Sequence, residues 1–203
     1  MFLTDAVLSL VYPQRCRVCS GSVEQHRYGV ACEACWAKHI FTDQSAIGFY
    51  EGALRETVLV LKRQPRLPRH VVDLLIERAN SFASITRVVP VPLHEERLRS
   101  RGFNQAAVIG REISKALHVP LDEISLIRVS TPQKYRTGLD AKGRRESVAK
   151  AFVVRYPRLI AGEDILLVDD VFTTGATVDA CEASLIEVGA KSVIIMTLAR
   201  ARH

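Results

Sequence analysis

Ile165-Leu166-Leu167-Val168-Asp169-Asp170-Val171-Phe172-Thr173-Thr174-Gly175-Ala176-Thr177 reads as a buried strand that runs into two acids and then into a loop of hydroxyls and small residues. The unbroken apolar run Ile165 to Val168 suits a strand covered on both faces, as in a parallel sheet. A helix over Asp179 to Val188 follows, and Gly189 suits its left-handed cap. Ser192 to Leu198 is the next apolar strand. Strand, helix and strand in this order imply parallel pairing with a right-handed crossover.

The same alternation extends upstream. Asn104 to Leu117 has Ala107, Ile109, Ile113 and Leu117 at helical spacing. Arg87 to Leu93 is a short β-branched run whose prolines, Pro90 and Pro92, mark its exit. Helical patterns also cover Leu54 to Leu61 and Val71 to Phe82. Before them, Asp43 to Gly48 has the look of a connector, and Leu3 to Val11 of a short helix ended by Pro13. The expectation is an α/β fold, a parallel sheet flanked by helices over residues 49–203, with a small separate module in residues 1–48.

The quoted stretch has a chemical use for each part. Binding sites of open parallel sheets lie at the carboxyl ends of strands, where Asp169 and Asp170 fall. Adjacent carboxylates repel, so they call for hydroxyl donors or a cation between them. A ribose diol and a hydrated magnesium ion would supply both. Thr173 to Thr177 offers hydroxyls and backbone N–H groups at a helix start, a ready anion site. Gly175 and Ala176 allow a phosphate to approach the backbone closely. The stretch fits a ligand with a sugar diol at one end and a phosphate at the other. A Walker-type site is excluded, since no Gly-Lys-Ser or Gly-Lys-Thr follows a glycine loop, and no G-x-G-x-x-G follows the first strand.

Four of the five cysteines form Cys16-x2-Cys19-x12-Cys32-x2-Cys35. Two such chelating turns can converge on one tetrahedral zinc ion, and four protein ligands leave no open position for chemistry. The expected role is structural. His26 and His39 are expected on the surface, and the remaining cysteine, Cys181, is expected as a core filler in the helix after the phosphate loop.

The 203 residues are 48% hydrophobic and 25% charged, which suits a globular chain and excludes a disordered one. No apolar run approaches the roughly 20 residues that span a bilayer, so no membrane span is expected. Met1 to Pro13 carries Asp5 and no basic residue, unlike a secretory signal. A cytoplasmic location is the expectation. The net charge of +6 points to phosphate-rich ligands, either a small molecule or nucleic acid. Much of it lies in the basic run Arg128 to Lys150, which is expected as a loop, with strand resuming near Ala151 to Val154.

Asp169 to Thr177 resembles the phosphoribosyl pyrophosphate loop of type I phosphoribosyltransferases. The resemblance implies that Asp169 and Asp170 hold the ribose hydroxyls and that Thr173, Thr174, Gly175, Ala176 and Thr177 cradle the 5′-phosphate. A leaving pyrophosphate needs cations, and Arg97, Arg99 and Arg101 follow the first strand. The combination of Leu61-Lys62, Pro90 to Leu93, Arg101 to Gln105, Arg144, the cysteine pairs and the phosphate loop resembles the ComF family across nearly the whole chain. Lys62, Arg97, Arg101 and Arg144 thereby become candidates for the pyrophosphate or a closing lid. The resemblance implies transfer of phosphoribosyl, with magnesium, to an unidentified acceptor, in a protein linked to natural competence and DNA uptake. The alternative is a non-catalytic accessory protein that binds single-stranded DNA and competence-machinery proteins and keeps its phosphoribosyl site as a sensor or relic. The chain departs from the family pattern after Lys62, where Arg63-Gln64-Pro65-Arg66 stands, and at Ser147.

Overall fold

The protein was analysed as a computed structural model, which describes residues 14–23, 29–38, 40–43, 45–82, 84–129 and 151–202. The expected helix over Leu3 to Val11, His26, His39 and most of the basic run, including Arg144, lie outside the described residues.

Five strands make the main sheet: β1 (Ile40–Asp43), β2 (Ala46–Phe49), β3 (Arg87–Pro90), β6 (Asp164–Phe172) and β7 (Ser192–Arg200). Their order is β1-β2-β7-β6-β3, parallel throughout except for the β1–β2 hairpin at one edge. A second, two-stranded antiparallel sheet pairs β4 (Leu126–Arg128) with β5 (Phe152–Val154). It therefore joins the two flanks of the basic run.

The helices are α1 (Glu33–Trp36), α2 (Gly52–Leu61), α3 (Arg69–Asn80), α4 (Glu95–Arg101), α5 (Gln105–Leu117) and α6 (Ala176–Glu187). The pleat of the strands divides the core in two. Val88, Leu166, Val168, Met196 and Leu198 turn to one face and bury Leu54, Leu61, Leu75, Ile109 and Ile113 of α2, α3 and α5. Val89, Ile165 and Leu167 turn to the other, against Val178, Cys181 and Leu185 of α6 and Phe152 of β5. Cys181 is fully buried as expected of a core filler, and burial pushes its thiol pKa far up.

Three expectations are corrected. Asp43 to Gly48 is not a connector: Ala46–Phe49 is a strand whose Ala46 and Ile47 are buried, and it pairs in register with Thr197 to Arg200 of β7. The position 48/49 thus falls inside β2. The strand expected to end at Val168 continues to Phe172, because β7 runs alongside it as far as Arg200 and supplies the ladder partners. Finally, α4 was not foreseen. It has no buried residue, and its amphipathic signal is weak for that reason. It is held by His94, whose ring accepts from the Glu96 N–H, and by the Arg99–Glu95 ion pair.

The cysteine module is not a detached bead. Cys16, Cys35 and Trp36 belong to the same buried cluster as Leu54, Leu75 and Val168. Trp36 meets the His70 ring of α3 edge-on, with centroids 5.2 Å apart.

Candidate functional site

Asp169 and Asp170 stand at the carboxyl end of β6, where Asp169 pairs in register with Thr197. Asp169 Oδ1 accepts the Asp170 N–H at 2.8 Å. Both carboxylates line a cavity of about 170 Å³ together with Thr177. Burial first, and the Asp170 charge second, push the Asp169 carboxyl up to about 7; Lys62 draws it back only in part. Adjacent carboxylates in one cavity call for donors or a cation between them.

Cations line the cavity with the two acids. Lys62 follows the last residue of α2, Arg97 and Arg101 come from α4, and Arg128 ends β4; all four line the same cavity. The sequence pattern had kept Arg128 only as one charge of the basic run. Its place at the strand end was hidden because β4 has three residues and needs β5, on the far side of that run, as its partner. Asn104 was likewise unassigned. It caps α5 by accepting the Ala106 N–H at 3.1 Å, and it ties the cap to β3 by donating from Nδ2 to the Val91 carbonyl at 2.9 Å.

Of the sequence candidates, Lys62, Arg97, Arg101, Asp169, Asp170 and Thr177 therefore meet around one space. Thr173, Thr174 and Gly175 form the adjoining turn, and Ala176 opens α6. Gly175 sits in the left-handed region at φ 81°, and a Cβ there would lie 3.0 Å from the Phe172 ring, so the turn requires glycine. No side chain caps the first turn of α6. A larger cavity of about 660 Å³ adjoins the first, sharing Pro92, Leu93, Asn104 and Arg128, and adds Phe103, Leu126 and Ile127 to its walls.

The four cysteine sulfurs lie within 4.8 Å of one another. Cys19 Sγ and Cys32 Sγ are 3.7 Å apart, close to the spacing of about 3.8 Å that tetrahedral Zn–S bonds of about 2.3 Å impose. Burial works to raise the Cys16 thiol, but backbone N–H groups of Cys32, Cys19 and Val18 outweigh it and bring it down to about 6. Cys35 is pushed up to about 12, by burial first and then by the neighbouring thiols. Crowded sulfurs of which one favours the thiolate and one resists it are compatible with a zinc ion that would neutralise them together.

The phosphoribosyl transferase domain family matches residues 104–203. "Competence protein F" of Haemophilus influenzae is 34% identical over 115 residues, which are 56% of this chain and 50% of that protein. "DNA utilization protein YhgH" of Escherichia coli O157:H7 is 34% identical over 116 residues, 56% of this chain and 49% of that protein. The chain thus spans about half the length of the curated relatives it matches. A solved glutamine phosphoribosylpyrophosphate amidotransferase from B. subtilis, complexed with ADP and GMP, aligns with a TM-score of 0.40 at 19% identity, over 63% of this chain and 25% of that one. The parallel sheet flanked by helices is the fold of the type I phosphoribosyltransferase kind. Within that fold the chain is similar to proteins named for competence and for DNA utilization. Among the described residues, no helix is long and apolar enough to cross a membrane.

Proposed function

We propose that the chain binds phosphoribosyl pyrophosphate with magnesium and transfers the phosphoribosyl group to an acceptor nitrogen. One observation carries this reading: a carboxylate pair, a helix-start threonine and three cations foreseen from sequence line one small cavity at the strand ends. Asp169 and Asp170 accept from the ribose hydroxyls. The turn Thr173 to Thr177 holds the 5′-phosphate at the start of α6. Lys62, Arg97 and Arg101 stabilise the charge that grows on pyrophosphate as its bond to the ribose breaks and the acceptor supplies the new electron pair. Magnesium, when bound, supplies countercharge to the diol and the pyrophosphate. Arg144 and the rest of the basic run serve as a lid that excludes water from the ribose centre. The adjoining larger cavity has the room and the mixed walls for an acceptor.

In the same proposal, Cys16, Cys19, Cys32 and Cys35 hold a structural zinc ion in an N-terminal module that shares its core with the catalytic part, and the protein works in the cytoplasm. Isothermal titration with phosphoribosyl pyrophosphate and magnesium tests the central claim. The wild-type chain should bind and the Asp169→Asn/Asp170→Asn variant should not; equal heats from both would sink the reading.

A second reading has its own support. A groove of about 530 Å³ between the cysteine module and the α2–α3 connection is lined by Arg15, Arg17, Arg66 and Arg69, with no acid among its lining residues. The relatives' names refer to competence and to DNA utilization. In this reading the chain is a non-catalytic competence accessory protein that binds single-stranded DNA and partners of the competence machinery, with the phosphoribosyl site as a sensor. Fluorescence anisotropy with a labelled oligonucleotide separates the two. Replacing Arg15, Arg17 and Arg66 by Ala should weaken binding and flatten its salt dependence. Unchanged affinity and slope would remove the DNA claim.

A further inference from the structure

Gln105 is 2% exposed, yet its side-chain Nε2 has no hydrogen-bond partner among the described residues. A buried donor left unpaired is destabilising, and helix α5 would be more stable with an apolar residue there. The position has a use that offsets the cost. Gln105 is the first residue of the 13-residue helix α5, and it is among the residues that line the cavity of Asp169 and Asp170. Ala106, Lys62, Arg97 and Arg101 line the same cavity. A helix start favours negative charge, and the two arginines reinforce it. The group that satisfies the amide is therefore an anionic oxygen.

We infer that Gln105 donates from Nε2 to a phosphate oxygen at the pyrophosphate end of the ligand. The inference rests on the phosphoribosyl pyrophosphate reading of the cavity. It places Gln105 on the leaving-group side because the 5′-phosphate belongs to the α6 turn, a different helix start. A neutral amide suits a buried wall better than a further cation. It adds a directed donor without the desolvation penalty of a charge, and its reach is fixed by the short tether to the capped helix end.

The test compares full-length wild type with Gln105→Met and Gln105→Glu. Each is titrated with inorganic pyrophosphate, with ribose 5-phosphate and with phosphoribosyl pyrophosphate, all with magnesium. Gln105→Met keeps the volume and removes the donor. It should bind pyrophosphate and phosphoribosyl pyrophosphate about tenfold more weakly, about 1.4 kcal/mol, and ribose 5-phosphate as the wild type does. Gln105→Glu, which sets a carboxylate against the anion, should lose about a hundredfold or more on the same two ligands. Without ligand, Gln105→Met should melt at or above the wild-type temperature, a result that a structural role would not give. Wild-type pyrophosphate affinity in Gln105→Met would overturn the inference, as would an equal loss for ribose 5-phosphate or a lowered melting temperature. Wild-type protein that binds ribose 5-phosphate but not pyrophosphate would overturn it while leaving the sugar half of the site. Wild-type protein that binds none of the three would overturn the underlying reading as well.

Discussion

The two ends of strand β6 carry acids in opposite conditions. At its start, Asp164 is buried and fully engaged: Lys191 Nζ donates at 2.6 Å and Ser192 Oγ at 2.7 Å. Hydrogen bonds from Lys191 first, and then from Ser192, hold its carboxyl below the usual range. At its far end, Asp169 and Asp170 share a cavity, and burial with mutual repulsion pushes Asp169 up to about 7. The chemical type is the same and the strand is the same. The first end is satisfied within the chain and contributes to folding. The second has the Asp170 N–H on Asp169 Oδ1 and otherwise faces the cavity, and in the proposed function its further partners come from a ligand. The carboxyl end of a parallel strand is where the fold tolerates such a deficit, because the adjoining turn opens to solvent.

The comparison can be broken first by ligand binding. Replacing both Asp169 and Asp170 by Asn should abolish detectable binding of phosphoribosyl pyrophosphate with magnesium, a loss beyond about a hundredfold or 2.7 kcal/mol. Asp164→Asn should leave that affinity unchanged. A loss of binding in Asp164→Asn with the fold intact would erase the functional distinction between the two ends.

Stability gives the next contrast. Asp164→Ala strips Lys191 and Ser192 of their acceptor and should lower the melting temperature by several degrees, read by circular dichroism. Its pH dependence has a definite sign. A carboxyl whose folded pKa is depressed contributes stability above its unfolded value of about 3.9 and loses it as pH falls through the folded value. The wild-type chain should therefore lose this contribution in acid, and Asp164→Ala should lack that part of the slope.

Asp169 should behave in the reverse way. Its folded pKa lies above the unfolded value, so the ligand-free protein holds more protons than the unfolded chain between about pH 4 and pH 7. Stability should fall as pH rises through that window. Asp169→Asn should remove the slope and stabilise the ligand-free protein at pH 8. A destabilised Asp169→Asn would mean that this carboxylate is structural after all.

The smallest effect belongs to Lys191→Ala. The lysine side chain is 65% exposed, and exposed partners contribute roughly 0–1 kcal/mol. Ser192 still holds Asp164, so the melting temperature should barely move.

Much of this was legible in the sequence because it is local. The run from Ile165 to Thr177 contains its own strand, acids, turn and helix start, and the cysteine spacing contains its own chelating turns. What stayed hidden depends on partners far along the chain. β2 is four residues long and is a strand only because β7 offers it an edge. The strand character of Asp169 to Phe172 comes from the same neighbour. Arg128 reaches the cavity through a pairing with β5 across the basic run. Gln105 enters the sequence reading only as the end of the Arg101 to Gln105 motif, and packing reveals that it is enclosed.

The shared core of the cysteine module has a consequence for how this chain must be handled. Cys35 and Trp36 of α1 pack into the same cluster as Leu54 and Leu61, and Lys62 in the cavity follows Leu61 directly. If the four thiols hold zinc, removing the ion slackens the seat of α2 and with it the lysine at its end. Chelator and sugar phosphate then become thermodynamically linked ligands, each altering the apparent affinity of the other. The metal content of a preparation becomes a hidden variable in every titration: treatment with a strong chelator should raise the Kd for pyrophosphate, and zinc added back should restore it.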